Sequence, residues 1–295
     1  MPRRWISAFL AGFIGLGFSL SVKAEPKDNI QWVLLDFPPF LDVQNVDSQD
    51  EVTLERLKGP IADIHKELAQ SLPDFKHSYR MASFRRAQKL FESRNHHCTI
   101  LFLKTPDREK YLVYGGIIAS TIPPGLIIDE KRHDSIQKFI DKNGMVDLHE
   151  LLTDSQFKLG TVEGRSFSNE VDKSMNASQT PITKLVSDRA MASLFQMVAT
   201  QRLDGALAYY LEMSNEQKIN SRTKTLRFYP LKQDQSTITL RVSCERSPWG
   251  EITVKKISEA VKQEPVREKI STLLMQTLPP ESRKPASQEK NTSLQ

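Results

Sequence analysis

Arg108 stands in the run FLKTPDREKYLVYGG, residues 102–116, between two apolar stretches. Thr105 is a good helix N-cap, Pro106 suits the first helical position, and Asp107 and Glu109 suit a first turn. The unpaired N–H groups of such a turn converge with a guanidinium, which is chemistry for holding an anion, a carboxylate for instance, by parallel hydrogen bonds. The same residues also allow a plain surface ion pair between Arg108 and Asp107 or Glu109. A second turn, Glu163-Gly164-Arg165-Ser166, joins an expected strand to an expected helix. A helix N-terminus there would offer N–H donors and Arg165 a charge, or the turn is merely solvated. Glu163 is the carboxylate to nominate if an acid or base were needed. Cys98 and Cys244 are a disulfide or two buried thiols. His96 and His97 precede Cys98, but adjacent strand residues face opposite ways, so they do not form a metal site. The chain carries no zinc spacing and no GxSxG, HExxH, Walker or dinucleotide-binding pattern. No catalytic residue, cofactor or metal is assigned.

The elements that must position these residues alternate. Residues 30–36 read as a buried strand ended by Pro38-Pro39, and 42–57 as a polar loop. Ile61, Ile64, Leu68 and Leu72 have helical spacing after Pro60. Strands at 76–81 and 98–103 flank a helix at 83–91 with Ser83 as N-cap. This is the pattern of a parallel sheet with helices on both faces. The middle repeats it: strands at 126–129, 157–162, 182–186 and 206–210, and helices at 146–152, after Ser166, and at 188–199 capped by Asp188. Strands at 225–230 and 237–244 and helices near 249–262 and 265–277 follow. The polar tail from Glu281 is expected to be disordered.

Residues 1–24 have an arginine pair, an apolar run from Trp5 to Leu20 and Val22-Lys23-Ala24, the signature of a cleavable signal peptide. An exported, periplasmic chain beginning at Glu25 is expected. Its removal takes three positive charges and no acid from the formal net charge of +5, leaving +2. With both signs interspersed, nothing marks a nucleic-acid partner.

The order of motifs carries a resemblance. WVLLDFPPF opens the expected mature chain; GPIADIHKELAQSL, SFRRAQKLF, Thr105-x-x-Arg108, FKLGTVEGRSF, ATQRLDGALAYY and TLRVSCERSPWGEITVKKISEAV follow. Nearly all of it resembles the periplasmic solute-binding proteins of amino-acid uptake systems (extracellular solute-binding family 3). That resemblance implies an α/β, two-lobed type II periplasmic binding fold, two sandwich lobes joined by two crossover strands. Lobe one would be 25–118 plus 228–280, and lobe two 119–227. It implies a monomer with an interlobe cleft and a transporter or sensor-kinase partner in the inner membrane. It also sets the strands of Cys98 and Cys244 side by side, favouring their disulfide, worth up to ~5 kcal/mol. In the cleft it implies Thr105 and Arg108 for a ligand carboxylate, Phe37 and Phe84 as aromatic walls, and Gly164, Arg165 and Ser166 as a clamp.

Two departures shape the expected ligand. Relatives that bind amino acids have small hydroxyl residues just before Thr-x-x-Arg, where this chain has Ile100 to Lys104. The acid that holds a ligand ammonium is replaced by Tyr209, and Asp204 reads as structural. An unpaired ammonium in a cleft is costly, so an anionic or aromatic small molecule fits better. Competing expectations are an exported dehydratase-like enzyme using Glu163, and an interaction module that has lost its ligand.

Overall fold

The computed structural model describes residues 28–43, 51–187, 189–233 and 238–275. The expected signal peptide (1–24), part of the polar loop (44–50), the caps and strand ends at Asp188 and Thr237, and the tail from Glu281 lie outside the described residues.

The chain begins with β1 (Asp28–Leu34), short strands β2 (Asp42–Val43), β3 (Glu51–Val52) and β4 (Leu57–Lys58), helix α1 (Pro60–Ser71), β5 (Phe75–Met81), α2 (Phe84–Ser93), β6 (His97–Thr99) and β7 (Leu112–Thr121). It then builds β8 (Gly125–Asp129), α3 (His133–Ile136), α4 (Leu148–Leu151), β9 (Leu159–Val162), α5 (Asn169–Asn176), β10 (Thr183–Leu185), α6 (Ala190–Ala199), β11 (Gly205–Ala208), α7 (Tyr210–Ile219) and β12 (Leu226–Pro230). It closes with β13 (Ile238–Glu245), α8 (Pro248–Lys262) and α9 (Glu264–Met275).

Two sheets result. The first has the order β3-β5-β1-β6-β13-β7 and the second β10-β9-β11-β8-β12. Only the centre of the first is parallel, β5-β1-β6; β3, β13 and β7 run antiparallel to their neighbours. β1 lies between parallel partners and buries Ile30, Trp32, Val33 and Leu34 completely, as a near-continuous apolar run in a doubly covered strand should. The first sheet takes strands from both ends of the chain, the second from the middle. The chain crosses between them after Thr121 and again after Pro230. The expected lobe limits at 118 and 227 fall within β7 and β12, and β12 pairs with β8 in the second sheet along its whole length. Cys98 and Cys244 face each other in the β6–β13 register and form a disulfide.

Local chemistry explains the elements nearest the cleft. Ser83 Oγ accepts from Arg86 N and caps α2, as its sequence implies. Pro60 opens α1 after Gly59, whose φ of 98° suits glycine and whose Cβ, were there one, would meet the Phe40 carbonyl oxygen at 2.7 Å.

The loop expected over 42–57 carries β2, β3 and the start of β4, and three expectations nearer the cleft are corrected as well. The strand expected over 98–103 ends at Thr99. Thr99 Oγ1 accepts from Leu101 N, and the Leu103 carbonyl accepts from Arg108 Nη1 and Tyr114 OH instead of a neighbouring strand. The strand expected over 206–210 ends at Ala208, because Glu212 reaches back to accept from Tyr209 N and starts α7. The helix expected directly after Ser166 begins at Asn169, with Ser168 as its cap.

α1 also carries an isolated histidine. His65 is wholly buried against Trp32 and Tyr79, and neither ring nitrogen has a hydrogen-bond partner among the described residues. Burial, reinforced by the charge of His77, lowers its pKa to about 3. Between that value and the unfolded value near 6.5 the unfolded chain binds the proton and the folded one does not, so stability falls as pH drops. At about 1.4 kcal/mol per unit, His65 should cost about 2 kcal/mol between pH 6.5 and 5. Urea unfolding at the two pH values should show that loss, and His65→Leu should remove its share of it; an unchanged pH slope in the variant would refute this.

Candidate functional site

Arg108 leaves β6 by way of the irregular segment Ile100–Lys104. Thr105 Oγ1 accepts from Arg108 N at 3.3 Å, and residues 108–110 form a single 3-10 turn. Thr105 is therefore a cap for Arg108 and does not line the cleft. The guanidinium of Arg108 is buried. Nη1 donates to the Leu103 carbonyl in the first lobe and Nη2 to the Gly164 carbonyl in the second, each at 3.0 Å. Its carbon lies 4.6 Å from the Phe102 ring centroid and 5.9 Å from that of Phe84. No carboxylate among the described residues pairs with it, so the alternative, a surface ion pair with Asp107 or Glu109, is not made; Asp107 pairs with Lys110 and Glu109 with Lys104. Burial lowers the Arg108 pKa from its ordinary value, but an arginine stays charged.

The cleft between the lobes brings together Phe37, Phe84, Arg108, Arg165, Ser166 and Tyr209 with Leu35, Leu101, Leu103 and Leu240. Phe37 is held at the end of β1 by a backbone bridge to Leu41. Gly164 has φ 76° and sits against the Phe84 side chain, where an added Cβ would come within 3.0 Å. Leu103, Tyr209 and Ile238, with Phe37 and Leu240, form an apolar seam across the lobes. The closed cleft leaves a cavity of about 40 Å³, room for about three waters.

The clamp in lobe two differs from its expected form. The N–H groups at 164–166 are not at a helix start. Ser166 Oγ and Phe167 N donate to the carboxylate of the chain's own Asp172 in α5. Burial raises the Asp172 pKa, opposed by those bonds and by the field of Arg108. Arg165 turns inward and donates through both terminal nitrogens to Glu212, at 2.9 and 2.8 Å; the two side chains are each 3% exposed. Its guanidinium also faces the rings of Phe37, Phe167 and Tyr209. Glu163 is half-buried and does not line the cleft.

Sequence reasoning missed Asp172, Phe167 and Glu212. Glu212 had a signal, an acid three residues into a helix, but the polar run YLEMSNEQKI hid the helix itself.

This architecture is the type II periplasmic binding fold, two α/β lobes around a cleft. Solved structures share this fold. An ancestral arginine-binding protein bound to arginine superposes with a TM-score of 0.61 at 16% identity, over 82% of this chain and 96% of that one. A Streptococcus mutans structure described as the basis of glutathione import via GshT and the cystine ABC importer TcyBC gives 0.63 at 11%, over 85% and 95%. A putative L-cystine ABC transporter protein from Listeria monocytogenes gives 0.62 at 16%, over 86% and 97%. The likeness is one of fold. No protein-family model and no curated protein matches the sequence.

Proposed function

We propose that this chain is a periplasmic, non-catalytic solute-binding protein that captures a small anionic or aromatic solute between its lobes and presents it to an ABC transporter or a sensor kinase. Arg108 carries the reading: a desolvated guanidinium at the lobe seam, without a carboxylate partner among the described residues, beside a wall of apolar and aromatic side chains. Two of its five N–H donors serve main-chain carbonyls, and the bond to Gly164 is the one a solute carboxylate would replace as the lobes part. The neighbours named for glutathione and cystine import support the same role, and a disulfide suits an oxidising compartment. Glu212, buried behind Arg165, is already paired with it, which supports a ligand without an ammonium charge. Phe37, Phe84, Gly164, Ser166 and Tyr209 shape the rest of the site in this reading.

Small acids, aromatic acids and cell-wall fragments, screened by melting temperature, should include one that stabilises the protein. Arg108→Ala should weaken its binding at least about a hundredfold, since two charge-assisted hydrogen bonds are worth about 1.5–3 kcal/mol each. A library of acids, aromatics and cell-wall fragments in which nothing binds would end this reading.

The small free volume of the cleft favours a second one, an interaction module whose lobes have closed on themselves. A silent library, together with unchanged small-angle scattering on adding any of its members, is the result that reading expects.

A further inference from the structure

We propose that Arg165 acts as an internal ligand: its guanidinium fills a cation site built into the cleft and so shuts cationic solutes out. The site is defined by four side chains from both lobes. Phe37 of lobe one and Phe167 and Tyr209 of lobe two place their ring centroids 4.8, 5.0 and 5.2 Å from the guanidinium carbon. Glu212 closes the cage with two parallel hydrogen bonds. Rings around a bidentate carboxylate are recognition chemistry for a planar guanidinium. Nothing in that recognition requires the guanidinium to be attached to this chain.

Stability alone is a weak reason to bury such a pair, because apolar packing of similar volume serves as well. The position of Arg165 gives another. It sits on the turn after β9, in a cleft whose remaining lining is apolar and aromatic apart from Arg108, Ser120 and Ser166 and offers no carboxylate, and it reaches across to Phe37 of the opposite lobe. A chain that carries its own guanidinium there presents no open acid to a ligand cation. The paired Asp172, held by Ser166 Oγ and Phe167 N, treats the neighbouring N–H donors in the same self-satisfied way.

This inference rests on the reading of the cleft as a solute site, but its probe is a cation on a variant and not an acid on the wild type, so the two can fail separately. Arg165→Ala empties the cage and leaves the rings and Glu212. Millimolar methylguanidinium should then raise the variant's melting temperature in a saturable way and leave the wild type unmoved. N-Methylurea, its neutral isostere, should move neither. The response should vanish in Arg165→Ala/Glu212→Gln, which assigns it to the carboxylate. If Arg165→Ala does not fold by itself, refolding in methylguanidinium replaces the melting curve: recovery supports the site and failure to recover overturns it. A folded Arg165→Ala indifferent to methylguanidinium, or a wild type that responds as strongly, also overturns it.

Discussion

Replacing Cys98 and Cys244 together by alanine should destabilise the protein by about 5 kcal/mol in the chain-entropy account of a disulfide. The bridge spans a sequence separation of 146 residues, and the closed loop contains every strand of the second sheet. Without it, the unfolded chain regains the freedom to separate β6 from β13, which the folded state must then bring together across all of lobe two. Both cysteines are fully buried, and Trp32 pairs with Cys98 across β1 and β6. Alanine is the cleaner substitution, because serine would add buried hydroxyls. At about 2–4 °C per kcal/mol for a chain of this size, the melting temperature should fall by about 10–20 °C. Thermal and urea unfolding of the double variant, compared with the oxidised wild type, measure this directly. A loss below about 1 kcal/mol would mean that the unfolded chain already holds the two lobes' ends together.

The residues alone favour that pairing over two free thiols in an exported chain, and the order of motifs strengthens it. The same holds for much of the site. Phe37, Phe84, Arg108, Arg165, Ser166 and Tyr209 were singled out from their places in that order, and the fold gathers all six around one cleft. Strong local signals came through: the apolar run of β1, the Pro60 start of α1 and the Ser83 cap of α2 are short-range physics that a sequence carries openly. What stayed hidden was chosen by partners far along the chain. Whether Ile100–Leu103 continues β6 depends on Arg108 and Tyr114 taking the Leu103 carbonyl. The Gly164-Arg165-Ser166 turn looked like a helix start because its glycine and serine suit one, yet Ser168 is the better cap and Asp172 draws the intervening donors to itself. Which way Arg165 points was likewise undecided until α7 brought Glu212 beneath it.

Glu212→Ala should cost about 3–5 kcal/mol, the penalty for leaving a buried charge without its partner. Arg165 and Glu212 are each 3% exposed in their side chains, so water cannot replace the lost carboxylate without parting the lobes. Two effects combine in this one residue. Glu212 balances the Arg165 charge, and it accepts from Tyr209 N at the start of α7, a capping bond worth about 1 kcal/mol. Glu212→Gln separates them: it keeps an acceptor for the cap and removes only the charge, so it should recover about that much relative to alanine. Arg165→Met/Glu212→Gln should then approach wild-type stability, since the methionine restores packing against Phe37, Phe167 and Tyr209 with no charge left to compensate. The coupling in this cycle is read from urea midpoints. A double variant as unstable as Glu212→Ala would show that the three rings, not the ion pair, set the stability of the cleft. A near-neutral double variant would instead leave the pair's worth to be sought in what the cleft admits, where Arg165 stands against the aromatic rings of both lobes.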